Sequence, residues 1–116
     1  MTEISFENRE GTLTLSMTGH AGSAPAGEDL VCAAASMLGY TAMQYASVLE
    51  QAGWLLEKPQ VTEAPGTLKI SFRADAQHLP MAMNAMYVVE LGCAVLAHNY
   101  PENVTLRRTL AVSAKA

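Results

Sequence analysis

Between Thr12 and Leu49 the hydrophobic residues change period, and few architectures accommodate that change. Leu13, Leu15 and Met17 alternate with Thr12, Thr14, Ser16 and Thr18, which gives a strand one apolar and one polar face. From Asp29 onward, Val31, Ala35, Leu38, Ala42, Tyr45 and Leu49 recur at steps of four and three, the spacing of a single apolar stripe along a helix. A strand wet on one side and a helix with one stripe each need a covering layer. The sequence therefore predicts a helix laid on one face of a sheet.

The flanking segments extend that pattern. Residues 3 to 9 alternate weakly, with Ile4 and Phe6 on one face, and Glu10-Gly11 supplies the turn of a hairpin. Asp29 fits the N-cap of the first helix and Gly53 its stop. Residues 54 to 64 contain Pro59 and read as an irregular edge strand. Ala64-Pro65-Gly66 then turns into a strand carrying Leu68, Ile70 and Phe72. Asp75 to Pro80 opens a second helix, where proline is tolerated in the first turn. Met81, Ala85, Val88, Leu91 and Val95 read as its stripe, yet Met83, Met86 and Tyr87 on the reverse side are also apolar. A helix apolar nearly all round calls for burial on more than one face, and a homodimer built through it is the expectation. Pro101 ends it, and residues 103 to 113 form a last strand. The predicted fold is α+β, two helices packed on a mainly antiparallel sheet in the order ββα-ββα-β, with residues 1 to 116 as a single domain.

Charge and cysteine usage narrow the function classes. Eleven acidic against seven basic residues give a net charge of −4, a poor basis for holding a phosphate backbone, which takes clustered Lys and Arg. The only adjacent basic pair is Arg107-Arg108, so no direct nucleic-acid contact is expected, whereas a basic protein partner is compatible. Residues 1 to 10 carry acidic groups where a secretory signal needs positive charge, and no run approaches 18 uninterrupted apolar residues. A cytoplasmic protein with two reduced thiols and no membrane span is expected. Two cysteines and three histidines without a CxxC or HxxxH pair predict no metal. The stretch GHAGSAPAG lacks the Lys-Ser or Lys-Thr of a phosphate-binding loop. No cofactor is expected.

One stretch, TGHAGSAPAGEDLVCAAAS from Thr18 to Ser36, carries chemistry. Cys32 is expected about three residues into the first helix. There the unpaired N–H groups and the helix dipole favour a thiolate and offer donors to a tetrahedral oxyanion. His20 is expected at the end of the second strand. Strand end and helix start lying side by side would give the thiol a base and the leaving amine an acid. Ser36, one turn after Cys32, would share its helix face and support the pair through a hydrogen bond. Each residue also has a structural reading. Cys32 is a small hydrophobe, His20 a loop or core histidine, Ser36 a small packing residue beside Ala33 to Ala35, and Asp29 a cap. Cys93 sits mid-helix and reads as core. His78 fits a cap or packing position, and His98 suits the end of the second helix.

At these residues the chain resembles the ribosomal-processing cysteine proteases called Prp. The family pattern is a GHA tripeptide ending a strand, a short loop, a Gly-x-Asp-x-Val-Cys-Ala helix start, and a Ser four residues beyond the Cys. Here these are Gly19-His20-Ala21, then Gly27-Glu28-Asp29-Leu30-Val31-Cys32-Ala33, then Ser36. The resemblance implies a small dimeric cysteine endopeptidase with Cys32 as nucleophile and His20 as general base. Its implied partner is the precursor of the twenty-seventh large-subunit ribosomal protein, whose N-terminal extension it removes. The loop Gly22, Ser23, Ala24, Pro25, Ala26 and Gly27 would then be a lid that orders on the substrate. Two other classes compete with this reading. One is a non-catalytic, ribosome-associated interaction module in which His20 and Cys32 are structural. The other is a thiol redox protein, which needs a second accessible thiol.

Overall fold

The structure is a computed structural model and describes residues 1–19 and 26–108, without the side chains of 26–29. Its elements are β1 (Thr2–Arg9), β2 (Thr12–Thr18), α1 (Ala26–Gln51), β3 (Gln60–Ala64), β4 (Thr67–Arg73), α2 (Leu79–Asn99) and β5 (Val104–Arg108). The five strands form one sheet in the order β3-β4-β2-β1-β5, antiparallel except where β5 runs parallel to β1. This is the predicted α+β fold, two helices with a mainly antiparallel sheet.

The hairpin β1–β2 follows from its turn. Glu10 and Gly11 both take positive φ, 52° and 96°, the backbone of a two-residue turn whose twist matches paired strands. Arg9 then faces Thr12, and Phe6 faces Leu15. Leu15 in turn faces Ile70 of β4, so one register lines up Ile4, Phe6, Leu13, Leu15, Met17, Leu68, Ile70 and Phe72 on one buried face. The other face is polar, with Thr14 Oγ1 3.1 Å from Ser71 Oγ across β2 and β4. β3 is the irregular edge strand expected there. All five of its residues are exposed, and Pro59 stands just before it, where no ladder hydrogen bond is lost.

α1 covers the buried face with the predicted stripe, since Val31, Ala35, Ala42 and Leu49 are all buried. It ends in a Schellman motif at Gly53 (φ 78°), where the Trp54 N–H donates to Leu49 O and the Gly53 N–H to Glu50 O. Its start differs from expectation. The helix begins at Ala26, which puts Ala26 and Gly27 inside it and not in the preceding loop, and Asp29 in its first turn and not at its N-cap. Small residues, Ala and Gly, extend the helix upstream of the first apolar stripe position without interrupting it.

α2 opens at Leu79 with Pro80 in its first turn. Asp75 takes over the capping role there. Its Oδ1 accepts from the His78 N–H at 2.9 Å and lies 2.7 Å from His78 Nδ1, while the imidazole stacks on Trp54 with centroids 4.0 Å apart. The buried seam of α2 is Ala82, Met86, Val89, Glu90, Cys93 and Leu96. Of the expected stripe, Met81, Val88, Leu91 and Val95 form the exposed face, with Ala85 half-buried. Apolar residues on both sides left the period unable to choose, and close packing chose. A Cβ on Gly92 would stand 2.9 Å from Leu38 Cδ2, so the two helices approach closely there. By length and composition alone α2 is apolar enough to cross a membrane, but its seam is packed on the sheet and α1. Buried Glu90 accepts a hydrogen bond from Arg108 Nε of β5 at 2.8 Å.

Candidate active site

The sheet and α1 leave a cleft of about 530 Å³ at the end where β2 finishes and the β3–β4 hairpin turns. Its walls come from four places in the chain. β1 gives Thr2, the end of β2 gives Met17 to Gly19, and α1 gives Cys32, Ala35, Ser36 and Tyr40. The hairpin gives Glu63 to Leu68. Cys32, Ser36 and Tyr40 follow one another at steps of four along α1, so they form one ridge facing the cleft.

Local sequence explains each wall. Pro65 fixes φ for the turn and Gly66 takes the positive value, 77°, that the turn demands. The Gly66 carbonyl accepts from the Gly19 N–H at 2.9 Å, extending the β2–β4 ladder past Thr18 and Thr67. Gly39 lets α1 sit close to the sheet, because a Cβ there would meet Leu68 Cδ2 and Met17 Sδ at 3.0 Å. Gly19 does the same for β1, since a Cβ there would lie 3.0 Å from Thr2 Oγ1 and 3.2 Å from both Met1 O and Thr2 Cα.

Cys32 is a free, half-buried thiol. It is the seventh residue of α1, deeper than expected, so its own N–H falls within the i→i−4 ladder and not among the free amides of the helix start. Its sulfur lies 3.7 Å from Thr2 Oγ1. Ser36 lines the cleft one turn further on. His20 and Gly22 to Pro25 lie outside the described residues, as do the side chains of Ala26 and Asp29. Gly19, the residue before His20, lines the same cleft as Cys32. His78 belongs to the opposite end of β4, at the start of α2.

Cys93 contrasts with Cys32. It is fully buried in α2, and desolvation, with the nearby Glu90 carboxylate, pushes its thiol up to about 12. At neutral pH it is a protonated core residue, as its mid-helix position suggests.

Thr2, Tyr40 and the Glu63–Gly66 turn belong to the cleft, although the sequence marked none of them as site residues. Tyr40 was legible, two turns beyond Cys32 on one helix face. Thr2 and the hairpin are brought in by strand pairing across the sheet, for which no short-range signal exists. Tyr40 donates to Glu63 Oε2 at 2.5 Å; this hydrogen bond, together with the Glu63 charge, raises the Tyr40 phenol above its ordinary value. Glu63 is the only charged residue among the described residues that line the cleft. No group of three or more His, Cys, Asp or Glu side chains among the described residues comes together to hold a metal ion.

Comparison with known proteins gives a consistent result. Residues 1–105 match the model of the family described as cysteine protease Prp. No curated protein matches the chain significantly. Among solved structures, SMU.848 from Streptococcus mutans superposes with a TM-score of 0.70 at 30% identity, covering 93% of each chain. The ribosomal processing protease Prp from S. aureus, in complex with a substrate peptide, gives 0.69 at 18% identity, over 94% of this chain and 100% of that one. The same protease with a covalently linked product peptide gives 0.65 at 20% identity and the same coverage.

Proposed function

The chain belongs to the cysteine protease Prp family, and from that premise we propose that it is a cytoplasmic, homodimeric endopeptidase that matures a ribosomal protein. The substrate in this reading is the precursor of the twenty-seventh large-subunit ribosomal protein, cut to release its N-terminal extension. Cys32 is the nucleophile and His20 the general base.

One observation carries the reading. The half-buried Cys32 thiol borders an open cleft of about 530 Å³, whose wall includes the residue next to His20 in the chain. A cleft of that size, walled by Met17, Ala35, Ala64, Pro65 and Leu68, takes several residues of an extended peptide. In the proposed reaction the Cys32 proton passes to His20 and the thiolate adds to the scissile carbonyl carbon. Collapse of the tetrahedral intermediate breaks the C–N bond, and the imidazolium gives its proton to the leaving amine. Water, deprotonated by the same imidazole, then hydrolyses the thioester and returns the thiol. Tyr40 and Ser36 are placed along the cleft to meet the peptide.

The redox alternative needs a resolving thiol, and Cys93 is buried in α2 and protonated. The precursor ribosomal protein of the host, incubated with the enzyme and read by mass spectrometry, tests the proposal. A single cut that releases the N-terminal extension is expected, and none with Cys32→Ser. An intact precursor after prolonged incubation with folded protein would overturn the assignment.

A further inference from the structure

We propose that the Thr2 hydroxyl is the hydrogen-bond donor that holds the ionised sulfur of Cys32, making Thr2 a third member of the site. The inference rests on Cys32 being the nucleophile and adds a residue from a distant strand to it.

The first ground is what the helix does not supply. With Cys32 seven residues into α1, the four free N–H groups of the helix start lie a turn or more away in the chain, and the Cys32 amide is directed along the ladder. The backbone amides of α1 therefore supply no donor to the sulfur. Thr2 Oγ1, 3.7 Å from Sγ, is within reach of a hydrogen bond to sulfur. In the thiol form either atom can donate. Once the sulfur has lost its proton, only the hydroxyl can. A donor aimed at an anion is stronger than the same contact between neutral groups, so the hydroxyl holds the sulfur more firmly once it is ionised. Threonine keeps its proton throughout, and the proton leaving Sγ goes to the general base.

The second ground is that the hydroxyl is fixed. Thr2 pairs with Val104 in the parallel ladder, and its N–H donates to Asn103 O at 2.7 Å. The residue is buried, 7% exposed, so few waters compete for the hydroxyl. Its β-branched side chain has little rotamer freedom. On its other side stands Gly19, where any Cβ would sit 3.0 Å from that oxygen. The missing side chain at position 19 therefore leaves the space that the hydroxyl occupies beside the sulfur.

The test follows Cys32 alkylation by iodoacetamide as a function of pH in a Cys93→Ala background, with Thr2→Val and Thr2→Ser added. Valine keeps the shape and the strand and removes only the donor. Its profile is expected to shift upward in pH, with alkylation several-fold slower near neutral pH, to converge with the parent at high pH, and to return towards the parent with Thr2→Ser. Thr2→Ala, which leaves the backbone pairing untouched, should shift the same way. Profiles of Thr2→Val and Thr2→Ala that superimpose on the parent would overturn the proposal. Alkylation reports on the sulfur alone. A protein showing the expected shift yet cleaving no precursor would therefore uphold the role of Thr2 and overturn the proposed function.

Discussion

Burial and the Glu90 carboxylate hold the Cys93 proton in place up to a pH of about 12, while Cys32 opens onto a cleft. The two thiols should therefore separate cleanly in reactivity, since the thiolate is the reacting species. Brief treatment with iodoacetamide near neutral pH, followed by peptide mapping, should label Cys32 and leave Cys93 unmodified until the protein is unfolded. Cys32→Ala should abolish cleavage and Cys93→Ala should retain it; turnover surviving in Cys32→Ala would remove the nucleophile assignment. The raised Cys93 value also sets a pH dependence of stability. Against an ordinary value of 9.0, the unfolded chain releases this proton first, so the folded state binds more protons above pH 9. Stability contributed by the protonated thiol is complete below pH 9 and is lost as pH rises towards 12. Tyr45, raised by burial, and Tyr40 add to the decline above pH 10. Thermal melts should show the midpoint falling between pH 9 and 10 in the parent and a shallower fall there in Cys93→Ala. Equal slopes would show that Cys93 ionises as freely folded as unfolded.

The end of α1 depends on backbone conformation, with no side-chain contact involved. Gly53 takes a φ of 78° with no atom within 4 Å of where a Cβ would stand, so Gly53→Ala meets strain and no clash. A loss of about 1 kcal/mol is expected, read as a lower denaturation midpoint with cleavage unchanged. A neutral result would mean that the Schellman end relaxes freely. The same element shows what local sequence can carry. The stripe from Val31 to Leu49, the turn at Glu10-Gly11 and the Gly53 stop are local signals, and each was legible from short-range pattern. The α1 start was not, because Gly27 and Asp29 signal a loop and a cap at positions that the helix runs through. The buried side of α2 was not, because Val88, Leu91 and Val95 on one side match Met86, Val89 and Cys93 on the other in hydrophobicity. Only docking against Leu38 and the sheet selects between them. In the site, Cys32 and Ser36 announce themselves by spacing on one helix. Thr2 and the Pro65-Gly66 turn reach the cleft through the β1–β5 and β2–β4 registers, which pair residues dozens of positions apart.

At the scale of the whole molecule, the unresolved demand is the outer face of α2. Met81, Val88, Leu91 and Val95 are 42, 59, 41 and 61% exposed. Spaced by seven, three and four residues, they make one stripe on the side of the helix away from its buried seam. Contiguous apolar surface of this kind is uncommon on monomers and is usually covered by a partner. A second copy of the chain meets the requirement with the least machinery, because a two-fold axis lets one stripe pack on itself. Among the described residues the sheet's polar face carries no comparable apolar stripe, so the expected interface lies on the helical side. Multi-angle light scattering at micromolar concentration should give a mass near twice 12.4 kDa. The double variant Val88→Glu and Val95→Glu places like charges directly across such an axis and should halve that mass while leaving the melting of each chain cooperative. The buried seam, Cys32 and the cleft lie on other surfaces of the same chain, so the monomeric variant also asks whether pairing is needed for cleavage. A parent protein that runs as a monomer, with the double variant unchanged in mass, would leave the α2 stripe without the partner assigned to it.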